Sequence, residues 1–330
     1  MSNTLRTAFA CSFALSTVPA LADHPSTVLG VGIAQPVTTI SAMPIPEGVL
    51  AIGLRTEFIH NDPITDSKLD RLADAAPKED FHSVDSVSST SLGVAWGVSD
   101  TLLLGARLPY VRRDSIREPA HHDDGDGGIE TLGDSSGWGD LVAFGQFNAY
   151  RDTDRRRYAA VLLGVKTPTG KDDVFTHDGE RLDAEFQPGS GSWDLLAGLA
   201  LTQPLGIFSL DTSVLYTWVN EGSQNTDLGD ALSYNAALSY RLHGDHHHAS
   251  HTDWDLMLEL NGEWREKENI DGETNRNSGG NLVYLSPGIR ANPGNGWNLS
   301  LSAGLPVFEN LNGSQSEPQW RVIGSLGKGW

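Results

Sequence analysis

The chain has 330 residues, a net charge of −20 at neutral pH, 36 glycines, 3 methionines and 1 cysteine. Such acidity argues against a nucleic-acid partner, whose phosphates are met by clustered Lys and Arg. Mean hydropathy is negative and no run of about eighteen apolar residues follows the first residues, which excludes a helical membrane protein. A β-barrel stays open, because it hides its lipid face at every second residue.

In chain order, residues 1–22 read as a secretory signal peptide. Arg6 precedes an apolar run from Ala8 to Leu21, and Ala20-Leu21-Ala22 stands before Asp23. Cleavage there removes Cys11, so the mature chain is expected to hold no thiol, as suits an oxidising envelope compartment. Residues 23–48, with Pro25, Pro36, Pro44 and Pro46, are read either as a periplasmic segment or as a lumen plug. From residue 49 to 330 the apolar residues alternate. Segments are expected to begin near Val49, Val84, Thr101, Gly137, Arg157, Ser192, Phe208, Ala231, Trp254, Asn281, Trp297 and Pro318. A period of two means β-strand.

The plainest hairpin runs from Pro188 to Asn220. Trp193, Leu195, Leu199, Leu201, Phe208, Leu210, Val214, Tyr216 and Trp218 share one parity, and Asp194, Thr202, Ser209, Asp211 and Ser213 the other. A soluble β-sandwich shows the same alternation. Loop lengths decide between the two. Long connections (60–83, 112–136, 168–189) follow the first, third and fifth strands, and tight ones (97–100, 151–154, 204–206) the second, fourth and sixth. Outer-membrane barrels keep short turns in the periplasm and long loops outside. The chain stops on Trp330, in parity with Trp320, Val322 and Leu326, a terminal aromatic of the kind that outer-membrane assembly machinery reads. These features predict an all-β, transmembrane, antiparallel up-and-down barrel of about 12 strands in the cell outer membrane. Outer-membrane lipid, lipopolysaccharide and the barrel-assembly machinery are its expected partners.

Three short runs carry a resemblance: Lys166-Thr167-Pro168-Thr169-Gly170, Pro188-Gly189-Ser190-Gly191-Ser192-Trp193-Asp194 and Gly137-Trp138-Gly139-Asp140-Leu141. With them the chain resembles the phenol-degradation meta-pathway (MetA-pathway) family of outer-membrane barrels over most of its mature length. The resemblance implies a transporter or channel. It selects no solute.

If the apolar parity meets lipid, the other lines the lumen. That places Arg55, Glu57, Arg107, Asp140, Lys166, Asp194, Asp211, Arg241, Glu259, Glu263, Arg290 and Arg321 inside, as selectivity residues of a polar conduit or as a salt-bridged filling. Trp193, Trp218, Trp254, Trp264, Trp320 and Trp330 are assigned to aromatic girdles. Acidic residues crowd the three long loops, as a cation-attracting rim or a solvated surface. Two histidine-rich runs, with His121 and His122 and with His246, His247, His248 and His251, are candidates for weak divalent-metal binding; neither has a fixed ligand spacing. No cofactor beyond such a metal is expected. Gly133-Asp134-Ser135-Ser136-Gly137 matches the nucleophile-elbow pattern but leads into a strand rather than a helix. The reading is therefore a non-enzymatic channel for small solutes, aromatic or cationic. Its rivals are a metal-binding envelope protein anchored by a barrel and, third, an outer-membrane hydrolase.

Overall fold

Wherever one side of a strand must meet acyl chains and the other a wet interior, side chains sort by parity, and β1 (Leu50–Asp62) shows it residue by residue. Leu50, Ile52 and Leu54 are exposed on the outer surface, while Ala51, Arg55, Glu57 and Ile59 are buried. The structure is a computed structural model that describes residues 24–26, 29, 36–76, 79–120, 128–242 and 252–330. The proposed cleavage site and the two histidine-rich runs lie outside the described residues.

Helix α1 (Asp66–Ala75) follows β1, then β2 (Ser86–Ser99), β3 (Leu102–Pro119), β4 (Ile129–Trp138), β5 (Val142–Asp152) and β6 (Arg157–Lys166). After a long loop come β7 (Asp194–Leu205), β8 (Phe208–Trp218), the two-residue β9 (Thr226–Asp227), β10 (Ala231–Leu242) and β11 (Asp253–Arg265). Two further short strands, β12 (Asn269–Ile270) and β13 (Glu273–Thr274), precede β14 (Gly280–Gly294), β15 (Trp297–Leu311) and β16 (Glu317–Gly329). Strands β1, β2, β3, β5, β6, β7, β8, β10, β11, β14, β15 and β16 pair antiparallel in a ring that β1 closes on β16, from Ala51 opposite Gly329 to Asp62 opposite Glu317. This is a closed twelve-strand barrel, with no unpaired edge offered to lipid.

Trp193, Trp218 and Trp320 face outward at the long-loop end with Trp138; Trp264 lies there too and is partly covered. Trp254 and Trp330 face outward at the short-turn end, with Trp96 and Trp297. Ten residues separate Trp254 from Trp264 on β11, roughly 34 Å of strand and, at a tilt of about 40°, roughly 26 Å of membrane thickness. That matches the hydrocarbon band of an outer membrane.

Two parts depart from the sequence expectation. The segment 112–136, expected to be a loop, is mostly sheet: β3 runs on to Pro119 and pairs there with β4, while its first half pairs with β5. Strands β4 and β5 thus form one interrupted strand, broken at Gly139-Asp140-Leu141. Among the described residues no strand lies beside β4 on the β6 side. The loop after β6 fills that place, Lys171 N–H donating to the Trp138 carbonyl at 2.7 Å and Gly189 N–H to the Lys171 carbonyl at 2.8 Å.

The external loops also fold more than their polarity suggests. Ile64, Leu69 and Phe81 form one small core around α1, and Val84, Val87, Ile116, Leu132, Val174, Leu182 and Phe186 another beneath the β3–β4 hairpin.

Candidate functional site

Inside the wall, the two halves of the circumference differ. Strands β3, β5, β6, β7 and β8 turn Leu103, Phe144, Leu162, Leu196 and Leu215 inward, with Ala160 and Ala200. Strands β1, β11, β14 and β16 turn charge inward. Arg55 Nη1 lies 3.3 Å and Arg321 Nη1 3.4 Å from the Glu57 carboxylate, and all three side chains are buried. Arg321 also donates to Asn261 Oδ1 at 2.6 Å and stacks 4.0 Å from the centre of the Tyr284 ring. Arg107 Nε donates to Ser91 Oγ at 2.9 Å. The sequence did not show the apolar half, because β6 is apolar on both parities and Leu196 and Leu215 stand as single apolar residues on the otherwise small or polar parity of β7 and β8.

Glu259 is the centre of this arrangement. At 1% exposure it has no cation within ion-pair distance among the described residues. Its carboxylate accepts backbone N–H groups of three consecutive residues: Val37 at 2.7 Å, Thr38 at 3.1 Å and Thr39 at 2.8 Å. Thr39 Oγ1 adds a fourth donor at 2.8 Å. A carboxylate gathered by several backbone donors is stabilised without a counter-ion. The donors belong to the N-terminal segment, which runs inside the barrel. Ile40 N–H donates to Ser213 Oγ at 3.2 Å, Ala42 N–H to Thr202 Oγ1 at 2.8 Å, and Asn148 Nδ2 to the Ala42 carbonyl at 2.6 Å. Ile40 and Ala42 pack on the apolar half. Farther up, Ser26 donates to Glu57 through its N–H and its hydroxyl. At the short-turn rim, where Gly48 N–H reaches the Gly97 carbonyl, the chain turns into β1; a Cβ on Gly97 would sit 2.1 Å from the Pro46 oxygen. No residue of 36–46 belongs to a strand.

Below the segment a vestibule of about 460 Å³ opens at the short-turn end. Met43, Phe208, Asp211, Arg241, Asp255, Arg290 and Asn292 are among its lining residues. Asp255 gathers Arg241 Nε at 2.8 Å, Arg290 Nη2 at 2.9 Å and Asn292 Nδ2 at 3.0 Å. Asp211 accepts Thr202 Oγ1 at 2.6 Å. Arg241, half exposed, stands at the rim rather than deep inside. Glu263 pairs with its neighbour Arg265 at 3.2 Å, on the lining of a cavity of about 40 Å³.

The remaining charges named from sequence do structural work in the wall. Lys166 lies between Asp194, with which it is in direct contact, and Asp140, 3.6 Å away. Lys166 Nζ donates to Ser190 Oγ at 2.6 Å, and Asp140 accepts Gly170 N–H and Ser190 N–H at 2.8 Å each. This cluster bolts the loop after β6 onto the break between β4 and β5. Glycine is required there by contact: a Cβ on Gly170 would lie 2.7 Å from Gly139 C and from Gly189 Cα, backbone atoms that cannot swing aside.

At the external mouth His82, Glu185 and Asp80 meet; His82 Nδ1 is 3.1 Å from Glu185 Oε1. Glu118, beyond the girdle on β3, is pushed up to about 7 by burial and then by Asp183, Asp80 and Glu130, with His82 opposing. Ser135, in the elbow-like run, is fully buried within β4 and donates to the Phe186 carbonyl at 2.6 Å, which leaves it no place as a nucleophile.

Residues 81–328 match the family described as "Putative MetA-pathway of phenol degradation". No curated protein matches the chain. Among solved structures, the COG4313 outer membrane channel from Pseudomonas putida F1 is similar at a TM-score of 0.58 and 17% identity, covering 88% of this chain and 98% of that one. The β domain of the Bordetella autotransporter BrkA follows at 0.45 and 14%, covering 87% and 100%. The P. putida toluene transporter TodX stands at 0.43 and 12%, covering 90% and 93%.

Proposed function

The chain belongs to the MetA-pathway family of phenol degradation, and on that premise we propose that it is an outer-membrane channel for small amphiphilic solutes, phenols and aromatic acids foremost. In this reading the N-terminal segment occupies the solute path as a displaceable plug. The observation that supports it is the two-faced interior: Leu162, Leu196 and Leu215 on one side, Glu259 with its gathered donors on the other. The segment itself is such a ligand, offering apolar side chains to one half and hydrogen-bond donors to the other. A phenol presents the same pair of surfaces, a ring and an O–H. An acidic rim alone would favour cations; the apolar half of the interior selects the aromatic class. Arg241 and Arg290 beside the vestibule suit the carboxylate of an aromatic acid.

The role is passage rather than catalysis. The last strand, with Trp330 directly after it, is the part offered to the barrel-assembly machinery, and the acidic loops face lipopolysaccharide.

The test is permeability. A variant lacking residues 24–46 is expected to conduct in planar bilayers and to admit phenol and benzoate in liposome-swelling assays, at rates well above the full chain. A deletion variant that folds, by its heat-shifted gel mobility, and stays as tight as the full chain would refute the plug reading.

A further inference from the structure

The strongest unassigned chemistry lies in the external cap. Asp80 and His82 come from the segment between α1 and β2, and Glu185 from the single 3₁₀ turn Ala184–Phe186 in the loop after β6. One ligand atom from each lies within 4.8 Å of the other two. Zinc held at about 2.0–2.2 Å by nitrogen and carboxylate oxygen puts tetrahedral ligands roughly 3.4 Å apart. The His82–Glu185 pair, at 3.1 Å, already has that spacing. The Asp80 oxygen, within 4.8 Å of both, has to close in to complete the set.

The surroundings hold the donors in place. His82 and Glu185 are 2% and 4% exposed, so neither sweeps through solvent as surface residues do. The His82 ring meets Phe186 edge-on at 4.9 Å, and the Asp80 carbonyl accepts Asn277 Nδ2 at 2.9 Å. Phe81 and Phe186 anchor the two segments in separate hydrophobic cores. Asp80 is only partly buried and leaves a way in. Asp183 and Glu130, which with Asp80 and His82 act on Glu118, add negative charge in this part of the cap. Arg113, buried nearby, directs Nη1 to the Phe186 and Gln187 carbonyls.

We propose that Asp80, His82 and Glu185 form a divalent transition-metal site, of zinc class, that staples the β1–β2 loop to the β6–β7 loop across the external mouth. One imidazole and two carboxylates, with water completing the shell, suit zinc better than calcium, which takes oxygen ligands alone. None of its three ligands belongs to the histidine-rich runs seen in the sequence. A metal here ties the two loop cores together and holds the cap shut.

The experiment uses the full chain, refolded in detergent and stripped with chelator. Zinc titration is expected to show one site that lowers hydrogen exchange over residues 79–85 and 182–187. His82→Asn and Glu185→Gln should each weaken that site by roughly ten- to a hundredfold or more and abolish the protection. Replacing His246, His247 and His248 by alanine should leave the protection intact. Heat-shifted gel mobility checks that each variant keeps its barrel. Zinc that binds but protects neither segment overturns the proposal, as does protection that survives both substitutions. Protection by calcium and not by zinc overturns the assigned class.

Discussion

Replacing Glu259 by Gln keeps the side chain's shape and removes its charge, so it isolates what the carboxylate contributes to holding the N-terminal segment. In the native chain one oxygen takes Val37 N–H and the other takes Thr39 N–H, Thr39 Oγ1 and Thr38 N–H. A glutamine retains one acceptor oxygen, at neutral strength, and turns its NH₂ toward donors. Hydrogen bonds to a charged group contribute about 1.5–3 kcal/mol each and neutral ones about 1 kcal/mol. Losing two or three and weakening the last amounts to several kcal/mol, part of it recovered as lumen water solvates the freed N–H groups. A net loosening of about 3 kcal/mol raises the detached population roughly a hundredfold. Single-channel recording reads this as open probability, and proteolysis of residues 36–46 from the short-turn side reads it independently. Thr39→Ala removes one donor and should move both readouts by about tenfold or less. If Glu259→Gln opens no more often than the native chain, while removal of residues 24–46 does open it, then Glu259 is not what retains the segment.

Three other outcomes are expected. Lys166→Met strands Asp140 and Asp194, both nearly buried, and should lower stability in detergent by about 3–5 kcal/mol in urea unfolding; a loss under about 1 kcal/mol would show the cluster is not a fastening. Gly170→Ala places a Cβ against the backbone of Gly139 and Gly189 and should cost about 1–3 kcal/mol, seen as cleavage of the 167–193 loop at protease levels the native chain resists. With metals chelated, Glu118 sets a pH dependence. Its carboxyl titrates near 7 in the folded cap and near 4.5 unfolded, so the folded state holds the extra proton and stability falls as pH rises from about 4.5 through 7. Hydrogen exchange over residues 112–119 should therefore be faster at pH 8 than at pH 5.5, beyond its intrinsic pH dependence, and Glu118→Gln should abolish the excess.

The wall was legible because lipid imposes one rule on every second residue. In β11, Trp254, Leu256, Leu258 and Leu260 against Asp255, Glu259 and Asn261 admit a single orientation. Above the girdle the rule lapses. Arg112, Arg113, Asp114 and Arg117 put charge on both parities of β3, which is why its outer half and β4 read as loop. The inner apolar face was hidden for the opposite reason: Leu162 beside Leu163, Leu195 beside Leu196 and Val214 beside Leu215 leave no contrast for a period of two to register. The contents of the interior were less legible still. The hydrogen bonds joining residues 37–39 to Glu259 span more than two hundred positions, and the Asp80–His82–Glu185 group joins residues about a hundred apart. Only the Asp80-Phe81-His82 spacing is local, and a single such pair is too common to mark a site.

Gly139, Gly170 and Gly189 press main chain against main chain where a piece of wall is missing, and all three fall in the short glycine-rich runs 137–141, 166–170 and 188–194. That spot is a mason's joint: three backbones meet with no room for a side chain between them. The joint lies apart from Glu259 and from the stretch that precedes β1, so a change in either can alter the interior while the masonry stands.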